Sequence, residues 1–338
     1  MLRMKSLADA DTVRILVAAD VGMKRLAPFR LAMKTLPRTD PSQYVSLLLR
    51  LGIAHKDENS RSLVNPLPYS NTLLYKNTVF RCFGASVCKP VMHIEWNTSN
   101  VITLTNLKIF PDIGFKFNVA HVGDVIYVKT MPRYLYVLCE KPFNEIILLD
   151  QSWISVEYKK EQYLVHGFSI VMNNGRRISL ISNKPLYIEC RNRQLIEIEV
   201  SYHDSAQLLV SENYTVIDLA RKVLSIDNLL NVSGVSIIKV PLIEFLDTIS
   251  IALPYSIIDN CIEYLVMNSS TKSGNAIVKV YGYIDSIEVN SIKMKNYRHS
   301  IVRLAMSSGE TTQLKLCIST FTPYAYELRK RLSITDDE

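Results

Sequence analysis

Leu195-Ile196-Glu197-Ile198-Glu199-Val200 alternates apolar and acidic side chains without a break. Successive side chains of a strand point to opposite faces, so this hexapeptide is a strand with one buried and one wet face. Working outward, segments of similar character recur roughly every ten residues, the spacing of strands in a sandwich or barrel. Upstream they fall at 73–82, 101–109, 115–119, 124–129, 134–139, 145–149, 153–158, 163–171, 177–181 and 186–190. Turn residues such as Asn173-Asn174-Gly175 separate them. Downstream, strand character returns at 276–289, 300–306 and 311–320. Ile, Val, Leu and Tyr are plentiful while glycine contributes only 11 of 338 residues, which favours sheets closed by polar turns.

Helical patterning is confined to short stretches. Residues 215–230 place Val216, Leu219, Val223, Leu224 and Ile226 at helical spacing, with Arg221 and Lys222 on another side. Residues 241–252 do the same with Leu242, Phe245, Leu246 and Ile249. The near-continuous apolar run at 44–53, interrupted by Arg50, reads as a buried strand. Ser6, Asp9 and Asp11 offer a start signal for a short helix near the beginning. The expected fold is therefore mainly β: two β-sandwich domains with a few short helices. The expected division is an N-terminal sandwich over 1–210 and a C-terminal β-rich domain over 211–338, its two helices near its start.

Composition bounds the function. Apolar residues make up 48% and charged residues 21%, which suits buried cores and not a disordered chain. The formal charge is +7 and the pI about 8.9, a moderate excess that fits an anionic partner such as an acidic lipid surface or nucleic acid. Six scattered cysteines without a Cys-x-x-Cys spacing read as reduced, mostly buried thiols in a reducing compartment. No run approaches the ~18 apolar residues that span a bilayer. The start lacks a signal-peptide pattern, and Leu2 excludes N-myristoylation. Membrane contact is expected to be peripheral.

Signatures of catalysis are absent from the pattern. There is no glycine-rich phosphate loop and no Gly-x-Ser-x-Gly. The six histidines lie far apart, and none has metal-ligand spacing with another His or Cys. His203-Asp204 are neighbours and, in a strand, would face opposite ways. His166 lies in an apolar strand, the setting of a hydrogen-bonded core histidine. Phe110-Pro111-Asp112-Ile113 reads as a turn between strands. The expectation is that the chain is not an enzyme and has no cofactor and no metal.

Cationic residues cluster instead. Lys24, Arg25, Arg30, Lys34 and Arg38 form one group. Lys159, Lys160, Arg176, Arg177, Lys184, Arg191 and Arg193 form a second. Lys293, Lys295, Arg298 and Arg303, with Arg329, Lys330 and Arg331, form a third. Each such side chain near an anionic leaflet contributes about 1 kcal/mol, so an array of them can hold a membrane.

Several stretches, in order, resemble mononegavirus matrix proteins of the paramyxovirus type. Pro28-Phe29-Arg30-Leu31 followed by the Tyr44–Gly52 run is similar to the family's basic Pro-containing strand and Tyr-led apolar strand. Pro111, Phe115-Lys116-Phe117-Asn118-Val119 and Met131-Pro132-Arg133-Tyr134-Leu135 look like its mid-chain series. Tyr163-Leu164-Val165-His166-Gly167, then Arg176-Arg177, resembles its Phe-Met-Val-His-like strand and the basic residues after it. The likeness covers roughly residues 27–180 and does not extend into the C-terminal half. It implies two β-sandwich domains, dimers building a lattice, and a basic face on the inner leaflet of the host plasma membrane. It further implies contacts to the nucleocapsid and glycoprotein tails, in the virion and the host cytoplasm. The alternative expectation is a single-stranded nucleic-acid-binding protein, or a plant-virus movement protein. It rests on an OB-type barrel at 278–318, with Tyr281, Tyr283 and Tyr297 exposed for base stacking.

Overall fold

The computed structural model describes residues 41–129, 131–151, 153–158, 163–200, 206–237, 241–294 and 301–321. The expectations placed on Lys24, Arg25, Arg30, Lys34, Arg38, Lys159, Lys160, His203-Asp204, Lys295, Tyr297, Arg298 and the final basic segment lie outside these residues.

Among the described residues, the first elements are α1 (Pro41–Arg50), β1 (Ala54–Asn65), β2 (Asn71–Tyr75), β3 (Thr78–Cys82) and β4 (Ser86–His93). There follow β5 (Asn97–Ser99), β6 (Ile102–Leu104), β7 (Leu107–Pro111), β8 (Phe117–Val122), β9 (Val125–Val128), β10 (Tyr134–Cys139), β11 (Phe143–Asp150) and β12 (Ser155–Glu157). Next come β13 (Tyr163–Met172), β14 (Arg177–Cys190), β15 (Leu195–Val200), β16 (Leu208–Ser211) and α2 (Val216–Asp227). The remainder is β17 (Leu230–Ile237), β18 (Ile243–Phe245), β19 (Ser250–Ile258), β20 (Cys261–Asn268), β21 (Gly274–Val280), β22 (Gly282–Val289), β23 (Ile292–Lys293), β24 (Ile301–Met306) and β25 (Thr311–Phe321). The fold is mainly β, as the alternating patterns require.

Among the described residues the strands form four sheets, of five, twelve, three and five strands. The twelve-stranded sheet folds over at β14. The first part of β14, Ser179–Ser182, pairs with β16, whereas Leu186–Cys190 pairs with β15. Pro185 stands where the partner changes, and proline has no N–H for a central ladder. β13 follows β14 through the corner with an irregularity between Val165 and Gly167. Inward residues from the two parts, Phe168, Leu180 and Leu208 against Val137, Ile188 and Ile198, meet in one buried cluster. The opening hexapeptide is β15: Ile196, Ile198 and Val200 are buried, and Glu197 and Glu199 face outward.

In the C-terminal half, β18-β21-β24 forms one sheet and β19-β20-β25-β22-β23 another. Both contribute to a second, larger cluster, which also takes in α1, α2 and the five-stranded sheet β17-β1-β4-β3-β2. The expected boundary at 210/211 falls inside β16, one residue before its end and ahead of α2. Beyond it, β17 returns to pair with β1.

Two local readings are corrected. Residues 44–53 do not form a strand: α1 buries Tyr44, Leu47 and Leu48, with Leu51 buried just past its end, a helical spacing hidden inside a run of apolar residues. Gly52, at φ +69°, ends the helix, with Ile53 N–H donating to Leu48 O (2.9 Å) and Gly52 N–H to Leu49 O (3.1 Å). Residues 241–252 do not form a helix. The Asp247 carboxylate accepts from the backbone N–H groups of Ile249 (3.0 Å) and Ser250 (2.7 Å), a local bonding that competes with helix. The other expected helix is present as α2, opened by a capping box in which Thr215 and Asp218 bond each other's backbone N–H.

The cysteine reading is also corrected. Cys82–Cys88 and Cys261–Cys317 are disulfide-bonded, leaving Cys139 and Cys190 free. Each bridge joins residues placed directly opposite on neighbouring strands, which brings their Cα atoms to 4.1 and 3.9 Å. Spacing along the chain cannot reveal such register.

Candidate anion-binding site

Two turns carry the basic residues that the described structure brings together. The β13–β14 turn presents Arg176 and Arg177, and the β14–β15 turn presents Arg193; all three are exposed. They flank the two ends of β14, a strand of 14 residues, yet the corner in that strand returns its end toward its start. A single peptide group links the turns. Asn173 Nδ2 donates to Pro142 O (3.3 Å), and the next N–H, of Phe143, donates to Arg193 O (2.9 Å). The β10–β11 connection that supplies this peptide also exposes Lys141. Lys141, missing from the sequence reading, completes a group of four cations on three adjacent connections.

Among the described residues, no carboxylate pairs with Lys141, Arg176, Arg177 or Arg193. Glu140 and Glu145 are the exposed acids nearby along these segments, so the group remains net positive. The hairpin geometry is set by short side chains. Asn174 Oδ1 accepts from Arg176 N–H (3.0 Å), and Asn192 Oδ1 from Gln194 N–H (2.8 Å) and Leu195 N–H (2.9 Å). Such turns hold the long cationic side chains out of the sheet.

Arg191 does not join them. Its guanidinium is clamped by Glu189 (2.6 Å) and Glu197 (3.0 Å) on the outer face of the sheet, and its pKa is raised chiefly by the hydrogen bond to Glu197. Lys184 sits at the β14 corner, half-buried and away from both turns. In the third group, Lys293 lies on β23 opposite Glu288, while Arg303 is on β24 in a different sheet.

The residues singled out for nucleic acid also separate. β21 and β24 belong to one sheet, β22 and β25 to another. Tyr281 is only 6% exposed, donates its hydroxyl to Glu244 Oε2 (2.5 Å) and lies under Lys279 Nζ, so it is no open stacking platform. His166 stacks on buried Trp153, with ring centroids 4.1 Å apart. Asp112 turns the chain at Phe110-Pro111-Asp112-Ile113, accepting from Phe115 N–H (3.1 Å) through its carbonyl and from Tyr134 N–H (3.2 Å) through its carboxylate. Among the described residues, no helix is long and apolar enough to cross a membrane.

No known family profile matches the chain, and no curated protein matches it. One similar solved structure is a mutant of a glycoside hydrolase family 81 protein from Clostridium thermocellum. Its identity to this chain is 10%, and the match covers 77% of this chain and 38% of that one, at a TM-score of 0.19. Against this finding the expectation that the chain is not an enzyme is withdrawn. A likeness of this size carries no argument for hydrolase chemistry here.

Proposed function

We propose that this chain is a peripheral membrane protein of the viral matrix type, assembling beneath an anionic leaflet through its basic turns. The observation that carries the reading is the set Lys141, Arg176, Arg177 and Arg193, exposed on three adjoining connections of one sheet and without partner carboxylates among the described residues. Cations held this way keep their charge for an external anion, whereas Arg191 spends its charge within the molecule. The resemblance over 27–180 adds what the turns do not carry. It suggests dimers growing into a lattice, contacts to the nucleocapsid and glycoprotein tails, and residence in the virion and at the inner face of the host plasma membrane. A lattice multiplies a weak single patch into firm attachment.

Vesicle flotation tests the reading. The full chain is expected to float with phosphatidylserine-containing vesicles, to ignore neutral phosphatidylcholine vesicles, and to release as salt rises. Reversing three charges in R176E/R177E/R193E is expected to weaken binding by roughly a hundredfold, from about 1 kcal/mol per cation. Equal flotation with neutral vesicles, or an unchanged triple variant, overturns it.

A further inference from the structure

A cleft of about 700 Å³ opens between the five-stranded sheet and the twelve-stranded sheet, and none of the basic-turn residues lines it. Its walls come from the β2–β3 hairpin, the segment joining β4 to β5, the end of β9, and the C-terminal end of α2. The volume is that of a small-molecule site. Its chemistry is unusual in one respect: two of its aromatic rings each carry a lysine. Lys129 Nζ stands 5.7 Å from the centre of the Trp96 ring, and Lys76 Nζ stands 5.6 Å from that of Tyr75. Both lysines are exposed, and among the described residues neither pairs with a carboxylate. His93 lines the same wall, sharing a 3.1 Å hydrogen bond with Thr78 through Nδ1.

The Trp96 indole is held in place. Its Nε1–H donates to Asn77 Oδ1 (3.1 Å), and Ile94 N–H donates to Asn77 O (2.9 Å), which fastens this segment to the β2–β3 turn. The ring remains half-exposed toward the cleft. The end of α2 also lines the cleft, with Asp227 and the negative end of the helix dipole. The lining thus combines cations, a fixed flat ring and acceptors.

We propose that this cleft binds a nucleotide unit: the base against Trp96, its amino edge toward Asp227, and its phosphate between Lys76 and Lys129. A planar ring, an anionic group and hydrogen-bond donors at opposite ends of one ligand match the three features. The inference does not rest on the membrane reading, since it uses none of the same residues. A free mononucleotide and one residue of a single strand share this chemistry.

Tryptophan fluorescence of the full chain reads the site. The chain has two tryptophans, and Trp153 is buried at 3% exposure, so ligand quenching reports Trp96. Titration at low salt with adenosine monophosphate, with adenosine, and with a short single-stranded oligonucleotide is expected to give saturable quenching. Removing the phosphate should weaken binding about tenfold, as should K76E or K129E. Trp96→Leu should abolish the signal and weaken calorimetric binding about tenfold. Tighter oligonucleotide than mononucleotide binding identifies a strand as the source; equal binding identifies the free nucleotide. Absence of saturable binding by both adenosine monophosphate and the oligonucleotide overturns the proposal. So does calorimetric binding untouched by Trp96→Leu and K129E in variants whose circular dichroism is unchanged.

Discussion

Gly167 leaves no room for a side chain. A Cβ there would overlap the Leu180 carbonyl oxygen and lie 2.8 Å from Ile181 Cα, because β13 presses onto β14 where the sheet turns its corner. Gly167→Ala is therefore expected to lower stability by about 1–3 kcal/mol, read as a reduced urea midpoint at unchanged slope. Asp247 is a second demanding residue. Buried, it accepts from Arg221 (3.0 Å), Ser250 Oγ (2.9 Å) and Ile277 N–H (3.1 Å), while Arg221 also donates to Ser250 O (2.9 Å). Asp247→Ala strands the buried guanidinium and should cost about 3–5 kcal/mol in the same assay. Lys222 makes a pH prediction. Only 4% exposed, it donates to Thr72 O (3.2 Å), and burial lowers its pKa to about 8. The unfolded chain keeps this proton up to about pH 10.4. Between about pH 8 and that value the unfolded state binds the extra proton, so this group's contribution raises stability with pH, by up to about 1.4 kcal/mol per unit. Denaturation of wild type and Lys222→Met across pH 7–9.5 should show the rise in wild type alone. An identical pH dependence in both would refute it.

At the scale of elements, a wet face made some strands legible, as in β10 and β15, whose alternation survives in the sequence. It did not reveal all: β1, where residues 55–71 read as a polar loop, β4 and β17 carry exposed positions and were missed. β14 read as two strands because Asn183, Lys184 and Pro185 look like a turn, yet they form the corner of one strand. α1 was missed for the opposite reason: Val45 and Leu49, on its half-exposed side, are apolar too, which erases the helical contrast. Arg176, Arg177 and Arg193 were visible as charges, but their nearness depends on the corner and on the Pro142–Phe143 peptide, neither of which has a sequence signature. The cross-strand disulfides make a prediction at this scale. Alkylation under denaturing, non-reducing conditions is expected to label two thiols, Cys139 and Cys190, and after reduction six. In the folded protein both should react slowly near neutrality, since burial first of all pushes each up to about 11. Six labelled thiols before reduction would mean that neither bridge forms in that preparation.

For the whole molecule, one hydrophobic cluster passes through α1, α2, the five-stranded sheet and both C-terminal sheets. Its polar fastening is Arg221 of α2, which reaches the turn before β19 and lies 4.7 Å from the centre of the Tyr69 ring. Heat and denaturant should accordingly unfold these parts together, with tyrosine and backbone signals changing in one transition. Two separated transitions would contradict such shared packing. The pairing of β1 with β17 adds a constraint in time. Val64 faces Leu230, so the partner of an early strand leaves the ribosome long after it. At about 5–20 residues per second, β1 waits many seconds with one row of backbone donors and acceptors unmet. A newborn chain thus presents a sticky edge that the finished protein hides, and its yield in the cell should depend on chaperones that shield that edge until β17 arrives.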